Sequence, residues 1–262
     1  MPDDFLVVVI IAGIAALSSL MGGLIALWMR TATLILSIAV GGAAGILLGT
    51  FSFEMLPQAR NSAGLMLSAS GFILGFLLIY GFDLYLNRGL IVGDEADERP
   101  RMMRLRKHRE RRGSDIVLLA GGTSIEELVE GVSIGVGIAA DPGLGAMMGI
   151  AIAIDNVSEA LSIGELIRAE KSQHIRRRIL GWTGLIGLSV FVSALLGWLF
   201  LRAMPPAMLG FLLALGAGGM FYLTVTDLLP KSEKTQFRQS AGLATAAGFL
   251  LMFMLSGLNL RL

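Results

Sequence analysis

Residues 143–167 read GLGAMMGIAIAIDNVSEALSIGELI, an apolar run with Asp155, Asn156, Glu159 and Glu165 set inside it. A helix needs about 20 mostly apolar residues to cross the hydrocarbon core of a bilayer, and this run is long enough. A charged side chain at mid-bilayer costs about 3 kcal/mol on insertion scales, so acids at such depth point to a function or a partner. The run therefore reads as a membrane span that carries chemistry. Seven other runs of similar length surround it, at 5–28, 31–56, 64–86, 115–140, 179–201, 205–229 and 240–260. They are too long and too evenly apolar for the alternating strands of a membrane barrel.

Composition agrees. Of 262 residues, 55% are hydrophobic and 16% are charged, where a soluble domain carries about a quarter charged residues. An ordinary cytosolic enzyme is excluded. The net charge of +1 gives no electrostatic case for nucleic acid. With no cysteine there is neither a disulfide framework nor a thiolate metal site. Met1-Pro2-Asp3-Asp4 puts acid where a signal peptide needs Lys or Arg, so the first run is expected to stay as a span.

The basic residues set the orientation. Of 21 Lys and Arg, 18 fall in the loops after spans one, three, five and seven, and only Arg60, Arg202 and Arg261 fall on the other side. The positive-inside rule makes those four loops cytoplasmic and leaves both termini outside. The long basic loop at 88–114 reads as a solvated, topology-setting segment, with contact to anionic lipid as the alternative. The expected fold is a single all-α transmembrane domain over 1–262, with eight spans.

Acids concentrate in two of the spans. Span four holds Glu126, Glu127 and Glu130, and span five holds Asp155, Glu159 and Glu165. Glu126 and Glu130 are four apart, as are Asp155 and Glu159, so each pair shares a helix face. The short turn Asp141-Pro142-Gly143 makes the two spans antiparallel and brings both pairs to one depth. So many confined anions cannot all stay ionised alone; they require protons, a cation, or both. A bound cation is the economical answer, and protonated acids hydrogen-bonded between helices are the alternative.

The sequence also repeats itself. Span two carries Ala44-Gly45 and then Glu54-Met55-Leu56-Pro57, and span seven carries Ala217-Gly218 and then Asp227-Leu228-Leu229-Pro230 at the same spacing. The two spans run in opposite directions, which is the pattern of inverted repeats, three helices plus two plus three, with sites at the midplane. Glu54 outside, the acids of spans four and five at the centre, and Glu165 and Asp227 toward the cytoplasm form a column that reads as a cation route. Glycines spaced by four at Gly41, Gly45 and Gly49, at Gly131 and Gly135, and at Gly145 and Gly149 are read as close helix contacts. Met147 and Met148 are read as packing.

These segments resemble the ZIP (ZRT/IRT-like) family of divalent metal transporters over essentially the whole chain. The family's second span commonly ends in Ala-Gly followed by His-Leu-Leu-Pro-Glu-Ala, where this chain has Ala44-Gly45 and Glu54-Met55-Leu56-Pro57-Gln58-Ala59. Its fourth span carries His-Asn-x-Pro-Glu-Gly, matched here by Glu126-Glu127-Leu128-Val129-Glu130-Gly131, and the fifth-span counterpart is Asp155-Asn156-Val157-Ser158-Glu159-Ala160. Histidines have become acids, and both kinking prolines are missing.

The resemblance implies metal-binding roles for Glu126, Glu127, Glu130, Asp155, Asn156 and Glu159. It also implies uptake toward the cytoplasm, no enzymatic activity, no prosthetic group and a homodimer in the cell (inner) membrane. The sixth span offers only Thr183, Ser189 and Ser193 as small polar groups, so a second complete metal position is not expected. An all-oxygen donor set suits manganese or magnesium and would also hold iron(II) or zinc. The rival reading is a metal-responsive or scaffolding membrane protein of the same fold that does not transport.

Overall fold

The computed structural model describes residues 2–28, 33–86, 127–169, 174–233 and 237–257. These residues form helices α1 (Pro2–Trp28), α2 (Thr33–Thr50), α3 (Leu56–Leu86), α4 (127–140), α5 (Pro142–Ala169), α6 (Ile175–Leu201), α7 (Pro206–Leu223), α8 (Leu229–Glu233) and α9 (Arg238–Gly257). No strand occurs among the described residues. Six of their helical stretches are long and apolar enough to cross a membrane. One of these, Leu34–Leu84, is 51 residues long and is interrupted at Gly64, whose φ of 76° and ψ of 168° end the helical path. Glycine, lacking Cβ, takes this conformation without steric cost. The expected basic loop 88–114 and the part of span four before residue 127 lie outside the described residues.

Two stretches of the chain have the same plan. The helices α1 and α6 are both 27 residues long, and α2 and α7 are both 18. Each of the latter pair runs into a widened, five-residue π turn, Phe51–Met55 or Thr224–Leu228, and then into another helix. Each turn ends two residues before a proline, Pro57 or Pro230. Proline has no N–H to donate, and its ring crowds the carbonyl one turn back; widening the backbone accommodates both. Residues 57–63, expected as a loop, are consequently helical, and the chain breaks at Gly64 instead.

The first helices of the two stretches, α1 and α6, run antiparallel. Along α1, Ala16 meets Gly187 and Gly23 meets Thr183 of α6, so the residue numbers rise on one helix as they fall on the other. The second and third helices of the two stretches are exchanged. A Cβ on Gly45 of α2 would strike the backbone carbonyl of Thr245 on α9, and one on Gly218 of α7 would strike that of Phe72 on α3. Gly248 against Gly42 and Gly75 against Leu215 repeat the same correspondence. Such contacts hold helices together where lipid removes the hydrophobic drive for association.

In space α1 and α6 join α4 and α5. Ile11, Ala15, Gly22 and Ala26 of α1 line up with Gly149, Asn156, Ala160 and Gly164 of α5. Gly131 and Gly135 of α4 lie against Val190, Ser193, Ala194 and Trp198 of α6. The result is one group of α1, α4, α5 and α6 and another of α2, α3, α7 and α9. They meet where α2 packs on α5 and where Ser133 and Val129 of α4 face Gly216 and Gly219 of α7. Buried Leu47, Phe51, Met55, Ile134, Met148 and Met220 belong to a continuous apolar core shared by both groups.

Candidate metal site

The turn between α4 and α5 is tight because Asp141 caps α5, its carboxylate accepting the N–H of Leu144 at 2.8 Å. This hairpin sets the acids of α4 beside those of α5. Glu127 is 1% exposed, Glu130 6%, Asp155 2% and Asn156 fully buried, while Glu159 is half-buried. The charges of Glu130, Glu159 and Asp155 all act on Glu127, and Glu159 is within its side-chain hydrogen-bonding reach. Both carboxylate oxygens of Glu127 are buried.

Neighbouring polar groups orient the frame around these acids. The amide nitrogen of Asn156 donates to the carbonyl of Ala15 on α1 at 2.9 Å, which leaves its buried oxygen without a partner among the described residues. The hydroxyl of Ser158 donates to an Asp155 carboxylate oxygen at 3.2 Å and to the Asp155 carbonyl at 2.8 Å. From α6, the Ser193 hydroxyl reaches the Glu127 carbonyl at 3.4 Å. Among the described residues no group of three His, Asp or Glu side chains is arranged to hold an ion as it stands. The acids are gathered at one level without having converged on one point.

Of the residues expected at the site, Glu130, Asp155 and Glu159 lie within electrostatic reach of Glu127, while Asn156 turns its amide to Ala15 of α1. Glu126 lies outside the described residues, and Glu165 is placed on α5 by its backbone alone. Glu54 and Asp227 occupy corresponding places in the two π turns, both half-buried. Met148 is buried against Gly137, the packing role expected of it. Sequence reasoning passed over Ser19, whose hydroxyl is buried without a partner among the described residues, and Asp83, which accepts a bond from Tyr222. A serine inside an apolar run gives no signal until the face it shares is known; an acid within the last turns of span three was the available clue to Asp83.

No family model matches the chain. It is similar to several curated proteins along nearly its whole length. The zinc transporter ZupT of Shigella dysenteriae serotype 1 (strain Sd197) is 28% identical over 253 residues, covering 94% of this chain and 93% of that protein. The zinc transporter ZupT of Salmonella heidelberg (strain SL476) is 25% identical over 253 residues, with the same coverage of both. These findings support a divergent ZIP-family member. Set against the ZIP motifs quoted above, this chain differs in chemistry as well as in identity. Two carboxylates replace imidazoles in the family's paired motifs, and the two kinking prolines are replaced by Val129 and Ser158.

Proposed function

We propose that this protein carries divalent metal cations of the zinc, iron or manganese class across the membrane toward the cytoplasm. The cation would bind Glu126, Glu127, Glu130, Asp155, Asn156 and Glu159, between α4 and α5. The observation that carries the reading is the burial of Glu127, Glu130 and Asp155 at one level of an apolar bundle. A dication compensates charges that lipid cannot solvate. The relatives named as zinc transporters support the same class of substrate.

The grouping of the helices supports alternating access. The proposed site would lie within the group of α1, α4, α5 and α6, whose boundary with α2, α3, α7 and α9 is lined by small side chains such as Gly216, Gly219 and Ser133. Sliding along that seam would expose the acids to one side and then the other, since a permanently open route would leak ions. Glu54 would receive the cation at the outer end, with Glu165 and Asp227 toward the inner one. The lopsided distribution of Lys and Arg supports both termini outside. A homodimer in the cell membrane completes the reading.

Uptake of radioactive or fluorescence-detected manganese, iron(II) and zinc into sealed vesicles holding the purified protein tests this. Accumulation above that of empty vesicles, lost with Glu130→Gln, is expected. If no divalent cation enters, the non-transporting, metal-responsive or scaffolding reading takes its place.

A further inference from the structure

We propose that Ser19 of α1 is a further oxygen donor to the cation, a role that rests on the transport reading above. A helical serine usually returns its hydroxyl to the carbonyl four residues back. For Ser19 that carbonyl belongs to Ala15, which already accepts the hydroxyl of Ser18 at 2.7 Å and the amide of Asn156 at 2.9 Å. The Ser19 hydroxyl is left without a partner among the described residues, in a residue with no exposed surface. Leaving a buried hydroxyl unsatisfied is costly, so one that persists calls for a ligand.

Its direction is fixed by the helix. One stripe of α1, with Ala15, Gly22 and Ala26, meets α5, and another, with Ala16 and Gly23, meets α6. Ser19 falls between the two stripes and so faces the interior of the bundle. Ser18 lies on the opposite edge of the α5 stripe. Because α1 and α5 run parallel, with Ala15 at Asn156 and Gly22 at Ala160, Ser19 sits at the depth of Asn156 and Glu159. Its hydroxyl and the unpartnered Asn156 oxygen would supply two neutral donors at that depth. A set of oxygens numbering more than four suits an ion of the manganese(II) class better than four-coordinate zinc.

The chain has no cysteine, so Ser19→Cys carries its only thiol. With the protein in lipid vesicles, cadmium should protect that thiol from alkylation at concentrations at least about tenfold lower than it protects the thiol of Ser18→Cys. Ser19→Ala, which fits the space of the serine, should lower the ratio of manganese to zinc uptake about tenfold while the protein still inserts and transports zinc. Equal cadmium protection of the two thiols, or an unchanged manganese-to-zinc ratio in Ser19→Ala, would overturn the assignment. Failure of the unaltered protein to move any dication would instead sink the transport reading, and cadmium protection would still report on binding.

Discussion

The hydroxyl of Tyr222 on α7 donates to a carboxylate oxygen of Asp83 on α3 at 2.6 Å. The bond closes one of the two crosswise helix pairs near the π turn that carries Asp227, and the rings of Phe76 and Tyr80 stand edge-on to Tyr222 beside it. Tyr222→Phe keeps those ring contacts and removes only the donor. It should lower stability by about 1 kcal/mol, measured as a lower unfolding temperature of the purified protein. An unchanged unfolding temperature would mean that the ring packing alone holds α3 to α7.

The close approaches of Gly45 to Thr245 and of Gly218 to Phe72 occupy matching places in the two repeats. Gly45→Val and Gly218→Val should each destabilise the protein by about 1–3 kcal/mol, since the obstructing atoms are backbone and cannot step aside. Gly242→Ala adds a methyl where nothing lies within 4 Å, and should be neutral or mildly stabilising. Thermal unfolding in one detergent compares all three.

If carboxylates hold the cation, protons compete with it. Uptake should be fullest where the acids are ionised and should fall as the pH is lowered, because only the deprotonated form ligates metal. Glu130→Gln should reduce uptake at least about tenfold at any pH. Asp141→Asn, in the turn outside the site and still able to cap α5, should leave uptake as it was. A pH-independent rate would argue that the acids do not touch the ion.

Pro57 and Pro230 each follow a π turn, and each turn carries an acid of the proposed route. Replacing either proline by alanine restores an N–H and removes the ring, so the widened turn can tighten to an ordinary one and rotate Glu54 or Asp227 relative to its helix. Uptake should drop in both variants with little loss of stability. Variants that transport normally would show that the turns are kept for packing alone.

Much of this architecture was legible in the sequence, and the reasons are local. The glycines at 41, 45 and 49 announced a close seam because spacing by four places them on one helix face, and that face meets Ala241, Thr245 and Met252. The matched Ala-Gly and acid-to-proline segments announced the repeat because duplication preserves offsets. The exchange of partners between repeats was not legible, since nothing in α2 says whether α3 or α9 will fill its groove. The helical course of 57–63 was hidden for a related reason: a proline signals a break, while the widened turn that absorbs it depends on the backbone before it. At the site, acids betray themselves in an apolar run, whereas Ser19 gains meaning only once Ala15 is seen to be occupied.

The crosswise clasp has a consequence for how the molecule is made. The groove along α2 is filled by α9, the last described helix to be synthesised, so an early segment waits in the membrane with its glycine face unfilled while about two hundred further residues are threaded. Assembly must therefore be settled late, by the arrival of Arg238–Gly257 rather than by successive hairpins. A ribosome halted before that helix would leave a chain that is inserted and unfinished, an inviting target for membrane quality control.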